Sequence, residues 1–368
     1  PIGLPNCGCR SDYFLRRRTC VVDPSMSRHV VLALWDLGRG GAERMVVDLA
    51  RRLPKQGFVP RIIALGGGGS LEEEIRASGI ELMIGPATND RRATKRFADH
   101  ALAGLSADTI VHTHLGADHW FGVPAQRRGF RWVSTCHNDD RHDPWWKRKI
   151  KTWAWNRADR VAAVSGVAKA FWRSHGARTD HWEVVPNGVE LSRFTPKTQL
   201  SYSDIPLMVS VGRLVEQKRH AWLLRALAPI KQPWRLELLG DGPLRGSLEA
   251  LADELGIRPR VSFRGVLPDV RQALSRADLF VFPSAWEGQG IAVLEAAASG
   301  VPLVLSDLPV FHEWLGDRSA LFVEESIEAW TNALEQALHD ARAMQVMGWH
   351  AYEDVCRVGS IDQMVLRY

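Results

Sequence analysis

The feature that most constrains this chain is a pattern that runs through it twice. A short apolar stretch is followed by a turn rich in small residues and then by a helical stretch. In the first half the apolar stretches fall at 29–34, 61–65, 109–112, 132–136, 161–164 and 183–185. A turn-rich segment from Pro186-Asn187-Gly188 through Pro196 to Pro206 interrupts the pattern. It restarts with apolar stretches at 207–211, 236–239, 261–263, 279–282 and 303–305, separated by helical stretches near 218–227, 244–255, 268–276 and 291–299. A further helix places Ile327, Trp330, Leu334 and Leu338 on one face. Short strands alternating with helices form parallel βαβ units. The sequence therefore predicts an α/β protein with two Rossmann-like doubly wound domains, 27–196 and 197–341, followed by a helical segment at 342–368. Such sheets bind ligands beyond the carboxyl ends of their strands. Two of them in series place those ends around a shared cleft, so functional residues belong in the loops after the strands.

At 368 residues, with 45% apolar and 24% charged side chains, the chain has the size and balance of two globular domains. No apolar run approaches the roughly 20 residues that cross a bilayer, so no transmembrane segment is expected. The net charge of +5 favours anionic partners. Residues 1–26 read as a disordered extension. They hold Cys7, Cys9, Cys20 and the run Arg16-Arg17-Arg18. Cys7 and Cys9 are too close for a ligand pair and no histidine lies nearby, so no metal site is expected there. Cys136 and Cys356 in the body form no disulfide framework, which suits a reducing cytoplasm.

Chemistry concentrates in a few strand-end segments. In Glu287-Gly-Gln-Gly-Ile-Ala-Val-Leu-Glu295, Gly288 and Gly290 loosen a turn so that a helix can begin near Ile291. The backbone N–H groups at a helix start attract an anion. A carboxylate accepts two hydrogen bonds from adjacent hydroxyls, so Glu287 and Glu295 suit a sugar and a ribose diol. Gly212-Arg213-Leu-Val-Glu-Gln-Lys218 ends a strand with two cations five residues apart, as a diphosphate needs. Arg264-Gly265-Val266 ends another strand. In the first half, Gly38-Arg39-Gly40-Gly41-Ala42-Glu43-Arg44 follows the first strand; Gly40 and Gly41 admit a close ligand, although Glu43 stands where a dinucleotide fingerprint has its third glycine. His137 follows a strand and faces the cleft side, with His112 and His114 at another strand end as weaker candidates.

These segments resemble family-4 glycosyltransferases, retaining enzymes of the GT-B fold. The resemblance covers about residues 29–340 and is strongest from Val184 to Trp314. The Glu287-to-Glu295 segment is similar to the family's E-x7-E motif, with Gly300-Val301-Pro302 following it. The resemblance implies that Glu287 contacts the donor sugar and Glu295 the ribose, with Gly290 and Ile291 at the donor. It implies that Arg213 and Lys218 neutralise the departing diphosphate beside Gly212. Arg264, Gly265 and Val266 then meet the base, Gly40 and Gly41 lie against donor phosphates or the acceptor, and His137 bonds the donor sugar. The family's usual aromatic between the two glycines is Gln289 here, which is expected to alter donor preference. The resemblance also implies a last helix, at about 342–358, that crosses back to the first domain.

No Asp-x-Asp sequence occurs. Arg213, Lys218 and a helix start are expected to meet the diphosphate charge instead, with no metal and no cofactor. The expected activity is retaining transfer from a nucleotide-diphosphate sugar to a glycan or lipid-linked acceptor in bacterial surface polysaccharide or lipopolysaccharide assembly. The rival readings are a nucleotide-sugar epimerase of the same fold and a decayed, non-catalytic scaffold subunit. In the stretch from Trp145 to Trp153, one helical face carries Trp146, Ile150 and Trp153 and another carries Lys147 and Lys151. That apolar face either packs on a sheet or meets an anionic membrane interface. The expected location is cytoplasmic, with peripheral contact at the inner face of the cytoplasmic membrane. A nucleic-acid stacking surface has a similar composition, but the donor motifs disfavour it and no nucleic-acid partner is expected.

Overall fold

The computed structural model describes residues 28–38, 40–88, 90–197 and 204–368. The expected extension at 1–26 and Arg39 of the glycine turn lie outside the described residues. The first domain runs β1 (Arg28–Leu34), α1 (Gly41–Arg52), β2 (Phe58–Ala64), α2 (Glu72–Ala77), β3 (Glu81–Ile84), α3 (Arg91–Ala103), β4 (Ile110–Thr113), α4 (Val123–Arg127), β5 (Arg131–Cys136), α5 (Trp145–Trp155), β6 (Arg160–Ala163), α6 (Gly166–Ser174) and β7 (Trp182–Val184). The second runs β8 (Leu207–Val211), α7 (His220–Leu227), β9 (Arg235–Leu239), α8 (Arg245–Glu254), β10 (Val261–Gly265), α9 (Arg271–Arg276), β11 (Leu279–Phe282), α10 (Ile291–Ala298), β12 (Leu303–Ser306), α11 (Pro309–His312), β13 (Leu321–Val323) and α12 (Ile327–His339). Two helices follow, α13 (Ala341–Val358) and α14 (Ile361–Arg367).

Each domain is one parallel sheet, ordered β3-β2-β1-β4-β5-β6-β7 in the first and β10-β9-β8-β11-β12-β13 in the second. Both faces of each sheet are covered, which is why its inner strands read as near-continuous apolar runs. In β1 the alternation is visible: Val31 and Ala33 join the core on one face, while Val30, Leu32 and Leu34 join the core on the other. The strand order reverses between β1 and β4 and again between β8 and β11. A ligand crevice opens at such a reversal, beyond the carboxyl ends of the strands. The loops there hold Gly40 and Gly41 after β1, His114 after β4, Gly212 to Lys218 after β8 and Glu287 after β11.

Two strands escape the sequence pattern. β3 and β13 are edge strands with little burial: β3 buries no residue fully and β13 only Val323. The end of the chain also differs from expectation. The helix at 341–358 does not cross back: Met344, Gly348, Ala351 and Val355 lie along one side, and the helix packs on α10 and β12 of the second domain. The crossing is made by α14, whose Ile361, Met364 and Val365 enter the first domain's core beside α1. The break between the two helices lies at Gly359-Ser360, where Ser360 bridges Val189. The two passages between the domains therefore run side by side.

Among the described residues, three non-glycine residues have left-handed backbone: Leu115 (φ 47°), Asp140 (φ 44°) and Arg219 (φ 48°). Each follows a strand-end candidate closely, His114, His137 and Lys218 respectively. Such conformations cost on the order of 1–3 kcal/mol each and collect where function constrains the backbone.

Because α14 belongs to the first domain's core, Met364→Ala is expected to lower stability by about 2–5 kcal/mol. Native-state hydrogen exchange checks this. Faster exchange in α1 and β1 with α13 unchanged is the expected pattern, and faster exchange in α13 alone would contradict the assignment.

Candidate active site

The segment after β8 and the segment after β11 form one unit. The β8 strand ends at Val211, and a short 3-10 turn at Glu216–Lys218 carries the second cation. Lys218 Nζ donates to Glu287 Oε1 at 2.5 Å, with both side chains largely shielded from solvent. The same ammonium sits 4.5 Å from the centroid of Phe282, the last residue of β11. Gln217 Nε2 donates to the Trp286 carbonyl at 2.7 Å, and the Ala285 N–H donates to the Gln217 carbonyl at 2.8 Å. Arg213 is exposed and forms no ion pair among the described residues. It is therefore available to an anion, whereas Lys218 is already half-engaged in fixing Glu287.

Helix α10 starts immediately beyond. Gly290 is its N-cap at φ 83°, a backbone conformation that favours glycine. No side chain caps the helix, so its first N–H groups face the crevice as an anion site. Glu295 lies about one turn in. It is half-buried, and burial pushes its carboxyl up to about 7.

The first domain meets this unit at two places. A Cβ at Gly41 would lie 3.2 Å from Ile291 Cδ1, so the start of α1 abuts the start of α10. A Cβ at Gly288 would lie 1.9 Å from the His137 carbonyl oxygen. Only glycine permits that approach, and it sets Glu287 beside the loop of His137. The ring of His142 lies against Trp286 across the same gap, with centroids 3.9 Å apart and planes tilted by 33°. Glu43 folds over Gly40, and its carboxyl is raised by burial, with the charge of Arg213 acting in the opposite sense.

His137 and His114 share a hydrogen bond of 3.1 Å between Nε2 and Nδ1. Burial pulls the His137 pKa down to about 4 and that of His112 to about 3; His114 is lowered by the same cause. All three rings are therefore neutral near pH 7 and suit hydrogen bonds to hydroxyls. His112 Nε2 bonds Thr135 Oγ1 at 2.8 Å, which in turn lies 3.1 Å from the Tyr368 hydroxyl.

The base-side candidates stand two strands from Gly212. Gly240 N–H donates to the Gly265 carbonyl at 2.8 Å, and the Gly240 backbone also abuts the Gly212 carbonyl. At roughly 4.8 Å per strand, Gly265 lies about 10 Å from Gly212 along the sheet edge. Arg264 and Val266 on either side of Gly265 are exposed.

Gln289 does something the sequence does not announce. Its amide takes the Asn187 N–H on Oε1 at 2.5 Å and donates from Nε2 to the Asn187 carbonyl at 3.3 Å. Both polar ends of the amide are thus engaged by the chain's own backbone. Gln217, Glu43 and His142 also lie at the site: Gln217 adjoins Lys218 and Glu43 belongs to the glycine loop, whereas His142 carries no local signal in the sequence.

The helix at Trp145–Trp155 overturns one of its two readings. Trp155 turns inward with Thr152 and Ala154. Trp145, Trp146, Ile150 and Trp153 are 65%, 47%, 39% and 40% exposed. The face expected to pack on the sheet is a solvent face. Lys149 and Lys147 lie 5.2 and 5.7 Å from the rings of Trp145 and Trp146, and the Arg157 guanidinium lies 4.1 Å from Trp153. No helix of the described residues is long and apolar enough to cross a membrane.

Comparison with known proteins agrees with this arrangement. A family model described as Glycosyltransferase Family 4 matches residues 39–193, and one described as Glycosyl transferases group 1 matches residues 205–340. The lipopolysaccharide core biosynthesis glycosyltransferase LpsD of Rhizobium meliloti is 30% identical over 274 residues, covering 73% of this chain and 75% of that protein. A Bacillus subtilis protein assigned as glycosyltransferase EpsF is 27% identical over 341 residues, covering 85% and 88%. Among solved structures, HepE of Anabaena in complex with UDP-glucose superposes with a TM-score of 0.82 at 17% identity, covering 92% of this chain and 97% of that one. At that identity the likeness shows the fold, with its two facing domains.

The Glu295 carboxyl gives a pH-dependent outcome. Between its ordinary value of 4.5 and about 7, the folded chain holds a proton there that the unfolded chain has lost. This group's contribution to stability therefore falls as pH rises through that window. Glu295→Gln is expected to flatten that part of the stability curve in urea denaturation across the same window; an unchanged slope would mean the carboxyl titrates in its ordinary range.

Proposed function

The chain belongs to glycosyltransferase family 4, the glycosyl transferases group 1, and we propose that it is a retaining enzyme that moves a sugar from a nucleotide-diphosphate sugar to a hydroxyl of a glycan or lipid-linked acceptor. The observation that carries this reading is the unpaired Arg213 at the strand-order reversal, beside the Lys218–Glu287 pair and the uncapped start of α10. These positive groups converge where a diphosphate lying beyond β8 and β11 would sit. Glu287 and the neutral His137 then take hydroxyls of the donor sugar. Glu295 takes the ribose diol, and the backbone at Arg264, Gly265 and Val266 meets the base. Gly40 and Gly41 leave room at the start of α1 for phosphate or acceptor.

In the transfer step, the bond between the anomeric carbon and the diphosphate oxygen breaks. The acceptor oxygen forms its bond to the same face of that carbon, and its proton passes to the departing diphosphate. Arg213 and Lys218 stabilise the charge that develops on the leaving group, an electrostatic role that needs no metal ion. The glycosyltransferase relatives of lipopolysaccharide core biosynthesis support a place in bacterial surface glycan assembly.

The exposed face of α5 supports peripheral membrane contact. Four large apolar side chains lie among Lys147, Arg148, Lys149 and Arg157, and the stretch 145–157 contains no acidic residue. Tryptophan at the headgroup level with cations beside it fits an anionic leaflet. The loop before α5 leads directly back to His137, so a surface docked there holds a lipid-linked acceptor near the cleft.

A thermal-shift screen against UDP, GDP, ADP and CMP and their sugars, run without added metal, tests the donor site. One nucleotide class is expected to raise the melting temperature, as a ligand present at 100 times its Kd contributes about 2.7 kcal/mol, and Arg213→Ala is expected to lose the shift. No shift with any of them would count against the reading, and an inverted anomer in the product by NMR would exclude retention. Cosedimentation with vesicles containing anionic phosphatidylglycerol tests the membrane surface: binding at low salt should fall sharply in Trp145→Ser/Trp146→Ser, and equal binding to neutral vesicles would remove the electrostatic half of the argument.

A further inference from the structure

The amide of Gln289 is the unexplained polar group nearest the proposed chemistry. It is 3% exposed, and Asn187 is 4% exposed. The two residues are 102 positions apart and exchange two hydrogen bonds, the amide pairing with both backbone groups of Asn187 as a second peptide would. Asn187 is not an arbitrary partner. It lies where the chain leaves the first domain, three residues beyond the end of β7. A Cβ at the next residue, Gly188, would lie 2.5 Å from the backbone of Ile361 and Ser360. Val189 N–H donates to the Gly359 carbonyl at 2.7 Å, and Ile361 N–H donates to the Val189 carbonyl at 3.1 Å. The outgoing and returning passages between the domains are thus bonded to each other at this point, and Gln289 is fastened to one of them.

At its other end Gln289 sits between Gly288, which touches the His137 carbonyl, and Gly290, which opens α10. Two residues earlier is Glu287. The donor loop is therefore held from three sides: by Lys218 and Gln217 from its own domain, by the His137 loop across the cleft, and by the interdomain passage through Gln289.

We propose that Gln289 is a positioning residue that ties the donor loop to the interdomain passage, so that the relative placement of the two domains and the placement of Glu287 are set together. The inference rests on the donor-site reading above. It makes Gln289 act through the loop rather than on the sugar. Nucleotide affinity, which depends on Arg213, Lys218 and the start of α10 within one domain, is then separable from turnover, which needs His137 of the other domain in register with Glu287.

The test compares wild type with Gln289→Met, which has similar length and volume and cannot bond Asn187, and with Gln289→Glu. The nucleotide diphosphate identified by the thermal-shift screen serves as the binding probe. For Gln289→Met, kcat is expected to fall about tenfold or more while the Kd for the nucleotide stays within about threefold and the donor preference is unchanged. For Gln289→Glu, activity relative to wild type is expected to recover as pH falls, because a protonated carboxyl can again donate to the Asn187 carbonyl. Hydrogen exchange should rise together in 186–190 and 284–290 in Gln289→Met. A kcat equal to wild type in a folded Gln289→Met protein would overturn the proposal, as would a changed donor preference, which would place the side chain against the sugar. If Gln289→Met fails to fold, the pH profile of Gln289→Glu decides: a constant ratio to wild type overturns the proposal. Absence of nucleotide binding in wild type would instead overturn the donor-site reading itself.

Discussion

The site depends on how closely two backbones can approach. The Cα of Gly288 rests on the His137 carbonyl, where a Cβ would come within 1.9 Å of oxygen. Any side chain there would wedge the strand-end loops of the two domains apart. The Lys218–Glu287 pair, the tilted His142–Trp286 rings and the abutment of Gly41 on Ile291 all lie around this contact. They share a geometric origin: two parallel sheets whose strand orders reverse opposite one another, so that each sheet offers its crevice to the other. The motif glycines are thus as much about the neighbouring domain as about a ligand.

Charge is divided unequally across that contact. The cations without a partner or with capacity to spare, Arg213 and Lys218, come from the second domain, as does the uncapped start of α10. On the first domain's side lie His137, which burial keeps neutral near pH 7, and the carboxyl of Glu43, itself raised by burial. On the proposed reading, a polyanionic nucleotide is drawn to the wall that carries these cations. Fixed dipoles and cations aimed at developing charge act most strongly where water is excluded, which is the condition that approach of the second wall creates.

Much of this was legible in the sequence because its causes are local. Strand, turn and helix follow one another within a few residues, so β8 with Arg213 and Lys218, and β11 with Glu287 and α10, are readable as units. What was not legible arises over long separations or at edges. β3 and β13 lie at sheet edges and bury at most one residue each. The apolar face of α13 is as compatible with either domain; its fit to the alanines of α10 decides, and that fit is tertiary. On α5 the periodicity aligns Trp146, Ile150 and Trp153 on one face, but Trp155 fixes the rotation of the helix by packing edge-on against Trp172 and Trp182. One inward tryptophan determines which others face solvent. The partner of Gln289 lies 102 residues away, so no spacing could reveal it.

That last case bears on how a motif position should be interpreted. A residue between two motif glycines invites a role at the ligand, since one is proposed for its neighbours. Yet side chains that follow one another along a bent loop point in different directions. Glu287 turns toward Lys218, Gly288 faces the opposite domain, and Gln289 turns inward to Asn187. A buried amide with both of its polar ends bonded is a rigid connection, whereas an aromatic ring at the same place could fill space but not bond a peptide. The exchange of an aromatic for glutamine therefore changes how the loop is held before it changes what the loop holds. A donor loop fastened to the interdomain passage makes the two walls of the cleft a single mechanical system, and that coupling is the physical content of a glutamine at this position.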